Sequence, residues 1–401
     1  MDIADDFKLL KLEGVIKVAN GEEKIIDGDL VFCWPYKWEP DLNIWQDLVN
    51  KMAEDVFKYV NRRLSFKEKS RPLSLIKDSL WMGLFNISKS WREASLENEE
   101  IYHKLVLFGS YFYMLYILDD VAEKLDGNSG HGRYVKNVGR LLQKLFMLEY
   151  PNINSINEDN LFLNIKSAVG FREEYIYVMF DIIEDLKTYP FVTPPTMKYL
   201  ARCLRYGFEL QTWFGSYKNS HILESSLRSE LRSRIIGLDA LVEFLLVIYE
   251  IPPALKVREN FYWDRIYRTG RTLGYKLNDI LSIRKELEEY LKDGTRIDNA
   301  ILIAMENKNM SFEKAMEIEI QEHNALVVEF RNECQGILAE PGIMFDMNDQ
   351  EREIFVRSLE CITTTLSHLI QTHLKMVRYK ANITYSFSDK TDEAKHMLNF
   401  K

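Results

Sequence analysis

Two groups of oxygen-bearing side chains stand far apart in this chain and suit one another chemically. The first is Asp119-Asp120-Val121-Ala122-Glu123, at the end of the apolar run from Val106 to Leu118. The second is Asn278-Asp279-Ile280-Leu281-Ser282-Ile283-Arg284-Lys285-Glu286. Carboxylate, amide and hydroxyl oxygens are hard ligands, the kind Mg²⁺ accepts while it also holds substrate phosphates. A chain that aims two such groups across one cavity can hold a diphosphate and make it leave.

Helical spacing gives each group a face. Asp119 and Glu123 lie four residues apart and share one side of a helix, with Asp120 turned by about 100°. The preceding stretch Phe108–Leu118 is apolar nearly all round, as in a buried helix. Carboxylates ending such a helix need cations, because a buried unpaired charge costs several kcal/mol. By itself the pattern also fits a solvated acidic helix end, since short motifs recur by accident. In the second group Asn278, Ser282 and Glu286 follow at i, i+4 and i+8, a stripe that drifts by about 40° per step. Together they can ligate one Mg²⁺ and leave positions for phosphate and water. Lys285, about 100° from Glu286, can reach a phosphate oxygen. An ordinary amphipathic helix explains Glu288 and Glu289 on the solvent side. It explains Asn278 and Ser282 less well, since both are mediocre helix formers.

The elements that must position these groups are helical. Periodicity predicts helices over 41–63, 72–96, 99–126, 133–148, 160–187, 195–218, 222–251, 257–293, 297–306, 311–340 and 347–380. Gly127–Gly132 reads as a loop, Tyr189-Pro190 and Pro194-Pro195 as a break, and Pro252-Pro253 as a separator before the second group. Residues 1–40 differ, with short β-like or irregular pieces at Gly14–Val18 and Gly28–Phe32, then Trp34-Pro35-Tyr36-Lys37-Trp38-Glu39-Pro40. Two prolines and two tryptophans there suggest an extended segment on an apolar surface. The expected organisation is an N-terminal segment 1–40, one all-α domain over 41–385 without strands, and a C-terminal tail 386–401.

Composition narrows the partners. The 401 residues are 46% hydrophobic, ample for a large core. A net charge of −9 excludes nucleic acid as the expected partner, because phosphate backbones attract a clustered basic surface. Cys33, Cys203, Cys334 and Cys361 have no paired ligand spacing, which suggests reduced thiols in a cytoplasmic compartment. The acidic N-terminus lacks a signal-peptide pattern, and the apolar run Val106–Leu118 is short for a membrane span of ~18 residues or more. Stable membrane insertion is therefore not expected.

Taken together, Asp119-Asp120-x-x-Glu123 and Asn278-Asp279-x-x-Ser282-x-x-Lys285-Glu286 resemble the paired metal motifs of class I terpene synthases of the microbial single-α-domain type, including those of soft corals. Arg378-Tyr379, near the end of the last long helix, is similar to the family's C-terminal Arg-Tyr pair. Arg232 stands where the family carries its diphosphate-sensing arginine, with Arg234 as the other candidate and Ile236 or Gly237 as the effector at a helix break. Trp34–Leu42 is similar to the segment that lies across the active-site mouth. The first motif departs from the family's common form in ending on Glu123 instead of Asp.

This resemblance implies the class I terpenoid synthase fold, an all-α bundle around a deep cavity. It further implies three Mg²⁺ ions, with Mn²⁺ as a substitute. Asp119, Asp120 and Glu123 would hold two ions, and Asn278, Ser282 and Glu286 the third. Arg232, Lys285, Arg378 and Tyr379 would bind the diphosphate, and Arg378 would pair with Asp120 on closure. Phe108, Phe112 and Tyr116 are candidate cavity walls for a carbocation, through attraction of about 0.5–2 kcal/mol per ring. Trp81 and Phe208 follow them, and core packing explains each equally well. Leu115, Leu241 and Thr372 stand where many C15 cyclases place large aromatics. A roomier cavity follows, so the expected substrate is geranylgeranyl diphosphate, a C20 compound, ahead of farnesyl diphosphate.

A prenyl-elongating enzyme would carry a second aspartate-rich motif where Asn278, Ser282 and Glu286 stand. A protonation-initiated cyclase would carry a DxDD motif, absent here. A helical scaffold explains the helices but not four ordered polar motifs. The family's frequent dimers leave a homodimer open.

Overall fold

The computed structural model describes residues 7–17, 23–33, 42–126, 132–168, 170–218, 225–293, 298–344, 346–376 and 383–388. The architecture is all-α, with one small antiparallel sheet. The described residues belong to two compact units. One draws on residues 41–258 and 348–362, the other on 1–40, 259–347 and 363–401.

In the first unit the helix Glu99–Asp126 is central. It packs against the helices Gln46–Leu64, Ser70–Phe85, Gly132–Phe146, Glu174–Leu186, Pro194–Lys218 and Leu238–Ile248. That surrounding is why its sequence is apolar on every side. Asn98 caps it, its side-chain oxygen accepting from the Glu100 and Ile101 amides at 2.9 and 3.1 Å. Gly109 allows close approach, since a Cβ there would stand 2.6 Å from Leu80 Cδ2. The segment Glu99–Val121 is long and apolar enough to cross a membrane by length and composition, but 61% of it is buried inside the fold. This unit holds a buried ion pair in close geometry. Arg258 makes two hydrogen bonds to Glu243, at 2.5 and 2.6 Å, and stacks over the Tyr199 ring.

In the second unit the helix Phe261–Asp293 packs against Ala300–Lys308 and Phe312–Ala339, and against strands Phe7–Lys17 and Ile383–Ser388. The strand Glu23–Cys33 packs on Phe312–Ala339. The sheet order is Glu23–Cys33, Phe7–Lys17, Ile383–Ser388, all antiparallel, with Leu10 opposite Leu30 and Phe387. Leu10 and Ile26 are buried while Lys11, Glu13, Ile25 and Asp27 are exposed, the alternation of a half-covered sheet.

Several boundaries differ from the sequence expectation. The helix predicted over 72–96 ends at Phe85 and restarts at Lys89. That over 160–187 breaks after Lys166, around Gly170 with φ +87°. That over 222–251 breaks between Ile235 and Leu238, at Gly237 with φ +77°. A strand the sequence reading does not anticipate, Ile383–Ser388, runs into the stretch assigned to a tail from 386. Cys203, Cys334 and Cys361 form no disulfide.

The helix Phe312–Ala339 turns a polar stripe inward. Lys276 donates to Glu319 at 2.9 Å and Glu322 at 2.7 Å. Burial opposes its charge, but these carboxylates overcome the penalty and hold the ammonium above the usual lysine range. Beside it His323 is fully buried, and burial pushes its pKa down to about 3. An unfolded histidine takes up its proton near pH ~6.5. Between those values the unfolded chain binds the extra proton, so stability rises with pH across that window, by about 1.4 kcal/mol per pH unit from this group. His323→Leu is expected to flatten the pH dependence of urea unfolding between pH 6 and 4 by up to that slope. Parallel slopes in the two proteins would contradict it.

Candidate active site

The first motif lies on the last two turns of Glu99–Asp126. Asp119 and Asp120 are half-buried there. Gln211, on the helix Pro194–Lys218, donates its Nε2 to Asp119 Oδ1 at 3.1 Å. Nothing local in the sequence marks Gln211, because the contact joins two helices remote in the chain. Glu123 lies on the same helix, four residues after Asp119. Upstream, Phe108 and Phe112 stack at 6.0 Å, and Phe112 meets Tyr116 edge-on at 5.1 Å. Phe108 also touches Phe244 at 5.8 Å, and the Tyr116 hydroxyl donates to Met82 Sδ at 3.1 Å. Trp81 stacks on Phe85. Phe208 lies against Gly139, where a Cβ would meet Phe208 Cβ at 2.9 Å. All five aromatics therefore make packing contacts of their own.

Arg232 is half-buried in the last turn of Ser225–Ile235, just before the break at Ile236-Gly237. Cations in that position suit the helix C-terminal dipole. Arg234 pairs with Glu230 on its own helix at 2.7 Å. Arg378, Tyr379 and the segment 34–41 lie outside the described residues.

The second motif occupies the middle of Phe261–Asp293, in the other unit, and its residues sort by depth. Asp279 is fully buried, and its Oδ2 accepts from the Ala300 backbone N–H at 2.9 Å. Asp279 thus closes the start of the next helix. Glu286 is half-buried and its Oε2 accepts from Asn299 Nδ2 at 2.8 Å. Asn278 is half-buried, one turn before Ser282. Ser282 is only 2% exposed, and its hydroxyl has no hydrogen-bond partner among the described residues. Lys285 pairs with Glu289 at 3.4 Å with both side chains partly exposed. A pair of that kind contributes about 0–1 kcal/mol, so an incoming anion displaces it at little cost.

These residues fit a divalent metal. The donor set is oxygen only, which suits Mg²⁺ or Mn²⁺ over softer metals. The Ser282 hydroxyl is the telling atom, because leaving it buried and unpaired costs about 1–3 kcal/mol. No group of three or more His, Cys, Asp or Glu side chains forms a metal cluster among the described residues. The second motif needs none, as amide and hydroxyl supply two of its three donors.

Comparison with known proteins agrees with this chemistry. Residues 212–329, which include Arg232, Asn278, Ser282 and Glu286, match the family model described as terpene synthase family 2, C-terminal metal binding. Over this stretch the chain is similar to the metal-binding region of terpene synthases. The fold is shared with several solved structures. A single-substitution variant of cucumene synthase is 11% identical, with TM-score 0.61 over 86% of this chain and 99% of that one. Germacradien-4-ol synthase from Streptomyces citricolor is 11% identical, with TM-score 0.57 over 82% of this chain and 93% of that one. An a-eudesmol synthase is 11% identical, with TM-score 0.59 over 82% and 94%. The chain spans about a quarter of the length of the curated relatives it matches, V-type ATP synthase alpha chains of Clostridium perfringens. These are 24% identical over 148 residues, 32% of this chain and 25% of theirs, too partial a match to speak of activity. The matched model is one of metal binding, which implies use of a divalent metal.

Ser282→Ala separates a metal ligand from a structural serine. Removing an unpaired buried hydroxyl should leave the denaturant midpoint unchanged or raise stability by up to about 1 kcal/mol. A loss of more than about 1 kcal/mol would show that the hydroxyl has a partner in the fold.

Proposed function

We propose that this terpene synthase ionises and cyclises geranylgeranyl diphosphate to a diterpene, releasing diphosphate, with Mg²⁺ as the metal. The observation that carries the metal assignment is the buried Ser282 hydroxyl, without a hydrogen-bond partner among the described residues, between Asn278 and Glu286 on one helix stripe. In this reading those three residues hold one ion, and Asp119, Asp120 and Glu123 hold two more. When bound, the metal neutralises the departing diphosphate as a Lewis acid. Lys285 and Arg232 contribute positive charge to the diphosphate oxygens, and Arg378 and Tyr379 add hydrogen bonds. Gln211 fixes Asp119 Oδ1 by a neutral hydrogen bond and so preserves the carboxylate's charge for a cation. Apolar and aromatic side chains exclude water from the allylic cation, Phe112 and Tyr116 among them.

The C20 assignment rests on the modest side chains at Leu115, Leu241 and Thr372. Thr372 is buried and donates its hydroxyl to the His368 carbonyl at 2.9 Å, so it packs as a short, internally satisfied side chain. Farnesyl diphosphate is the alternative substrate.

Purified protein incubated with Mg²⁺ and C10, C15 or C20 diphosphates, with products identified by gas chromatography and mass spectrometry, tests both levels. The C20 compound should be converted most efficiently; turnover of the C15 compound alone removes the diterpene assignment. Asp119→Ala and Asn278→Ala should each lower kcat/KM by at least about 10²-fold, the scale of several kcal/mol of lost charge stabilisation. Retained turnover in both variants contradicts the metal assignment.

A further inference from the structure

One polar contact to the second motif comes from outside it. Asn299 is fully buried immediately before the helix Ala300–Lys308, and its side chain makes three hydrogen bonds. Its Oδ1 accepts from the Ile301 backbone N–H at 2.9 Å. Its Nδ2 donates to the Asp279 carbonyl oxygen at 2.8 Å and to Glu286 Oε2 at 2.8 Å. The helix cap decides which end of the amide is which. A flipped amide would set N–H against N–H at Ile301 and oxygen against oxygen at both other contacts.

We propose that Asn299 is a positioning residue for Glu286, setting the carboxylate in the orientation in which it ligates metal. The inference rests on the reading of Asn278, Ser282 and Glu286 as ligands. A glutamate side chain has several rotamers to lose when it binds a cation. Asn299 removes that freedom beforehand, and it does so from a rigid place, since its own orientation is locked by the N-cap and by the Asp279 carbonyl. The donor is neutral, so it aims the carboxylate without cancelling its charge, as a lysine or arginine would. A carboxylate oxygen accepts more than one bond, so this contact leaves acceptor capacity for a cation. Partners of this kind typically change metal affinity by about 10–100-fold.

The test is Mn²⁺ binding in the presence of inorganic pyrophosphate, followed by the electron paramagnetic resonance signal of unbound Mn²⁺. Asn299→Ser keeps an N-cap acceptor and loses the two amide donations. Its Mn²⁺ affinity should fall by about 10–100-fold while its cooperative thermal transition is retained. Should that variant not fold, Asn299→Gly, also tolerated at an N-cap, gives the same reading. In a Glu286→Gln background the further change Asn299→Ser should alter affinity by less than about threefold, because the group it acts through is gone. Affinity in Asn299→Ser within threefold of the unmodified protein overturns the inference, as does an equal loss in both backgrounds. Equal affinity in Glu286→Gln and the unmodified protein instead removes the ligand reading itself, and this inference with it.

Discussion

A helix that carries polar side chains into a protein interior must find each of them a partner, and the helix Phe261–Asp293 is organised by that demand. Lys276 is met by two glutamates, Asp279 by a backbone amide and Glu286 by an asparagine. Each bond fixes the helix against Ala300–Lys308 or Phe312–Ala339, so satisfying the polar groups also sets its rotation and register. Ser282 differs from these three. Its hydroxyl is as buried as Lys276 and Asp279 and has no hydrogen-bond partner among the described residues. A buried hydroxyl without a partner in the fold is open to a ligand from outside it.

The helix Glu99–Asp126 solves a different problem. Its flanks are packed by seven other helices, Lys89–Ala94 among them, so its apolar side chains need no polar partners until the last two turns. There Asp119 and Asp120 emerge half-buried, and Gln211 holds one oxygen of Asp119. A neutral amide recurs in both motifs, on Asp119 and on Glu286. An arginine or lysine in either place would form a self-sufficient ion pair and compete with a cation.

Much of this is legible in the sequence because it is local. The stripe Asn278, Ser282, Glu286 and the pair Asp119, Glu123 follow from helical repeat alone, as does the apolar wrap of Glu99–Asp126. The break at Ile236-Gly237 follows from the family resemblance and not from periodicity, which runs one helix over 222–251; the φ of +77° at Gly237 is one that glycine adopts readily. What escapes depends on tertiary contact or on weak signals. Gln211 looks like any exposed helical glutamine until Asp119 is brought to it. Asn299 carries a signal, a polar residue directly before Ala300-Ile301-Leu302-Ile303, and an N-cap is readable there; its second role toward Glu286 is not. The strand Ile383–Ser388 alternates apolar and polar side chains, the period of a strand, but six residues beyond a long helix are easily assigned to a tail.

The central claim is that Asn278, Ser282 and Glu286 share one cation. Crystals grown with Mn²⁺ and inorganic pyrophosphate, measured at the manganese absorption edge, test it most directly. The account predicts an anomalous peak within ordinary Mg²⁺-like coordination distance, about 2.0–2.2 Å, of Ser282 Oγ, Asn278 Oδ1 and a Glu286 carboxylate oxygen. Manganese bound elsewhere, with the Ser282 hydroxyl still unligated, would contradict it.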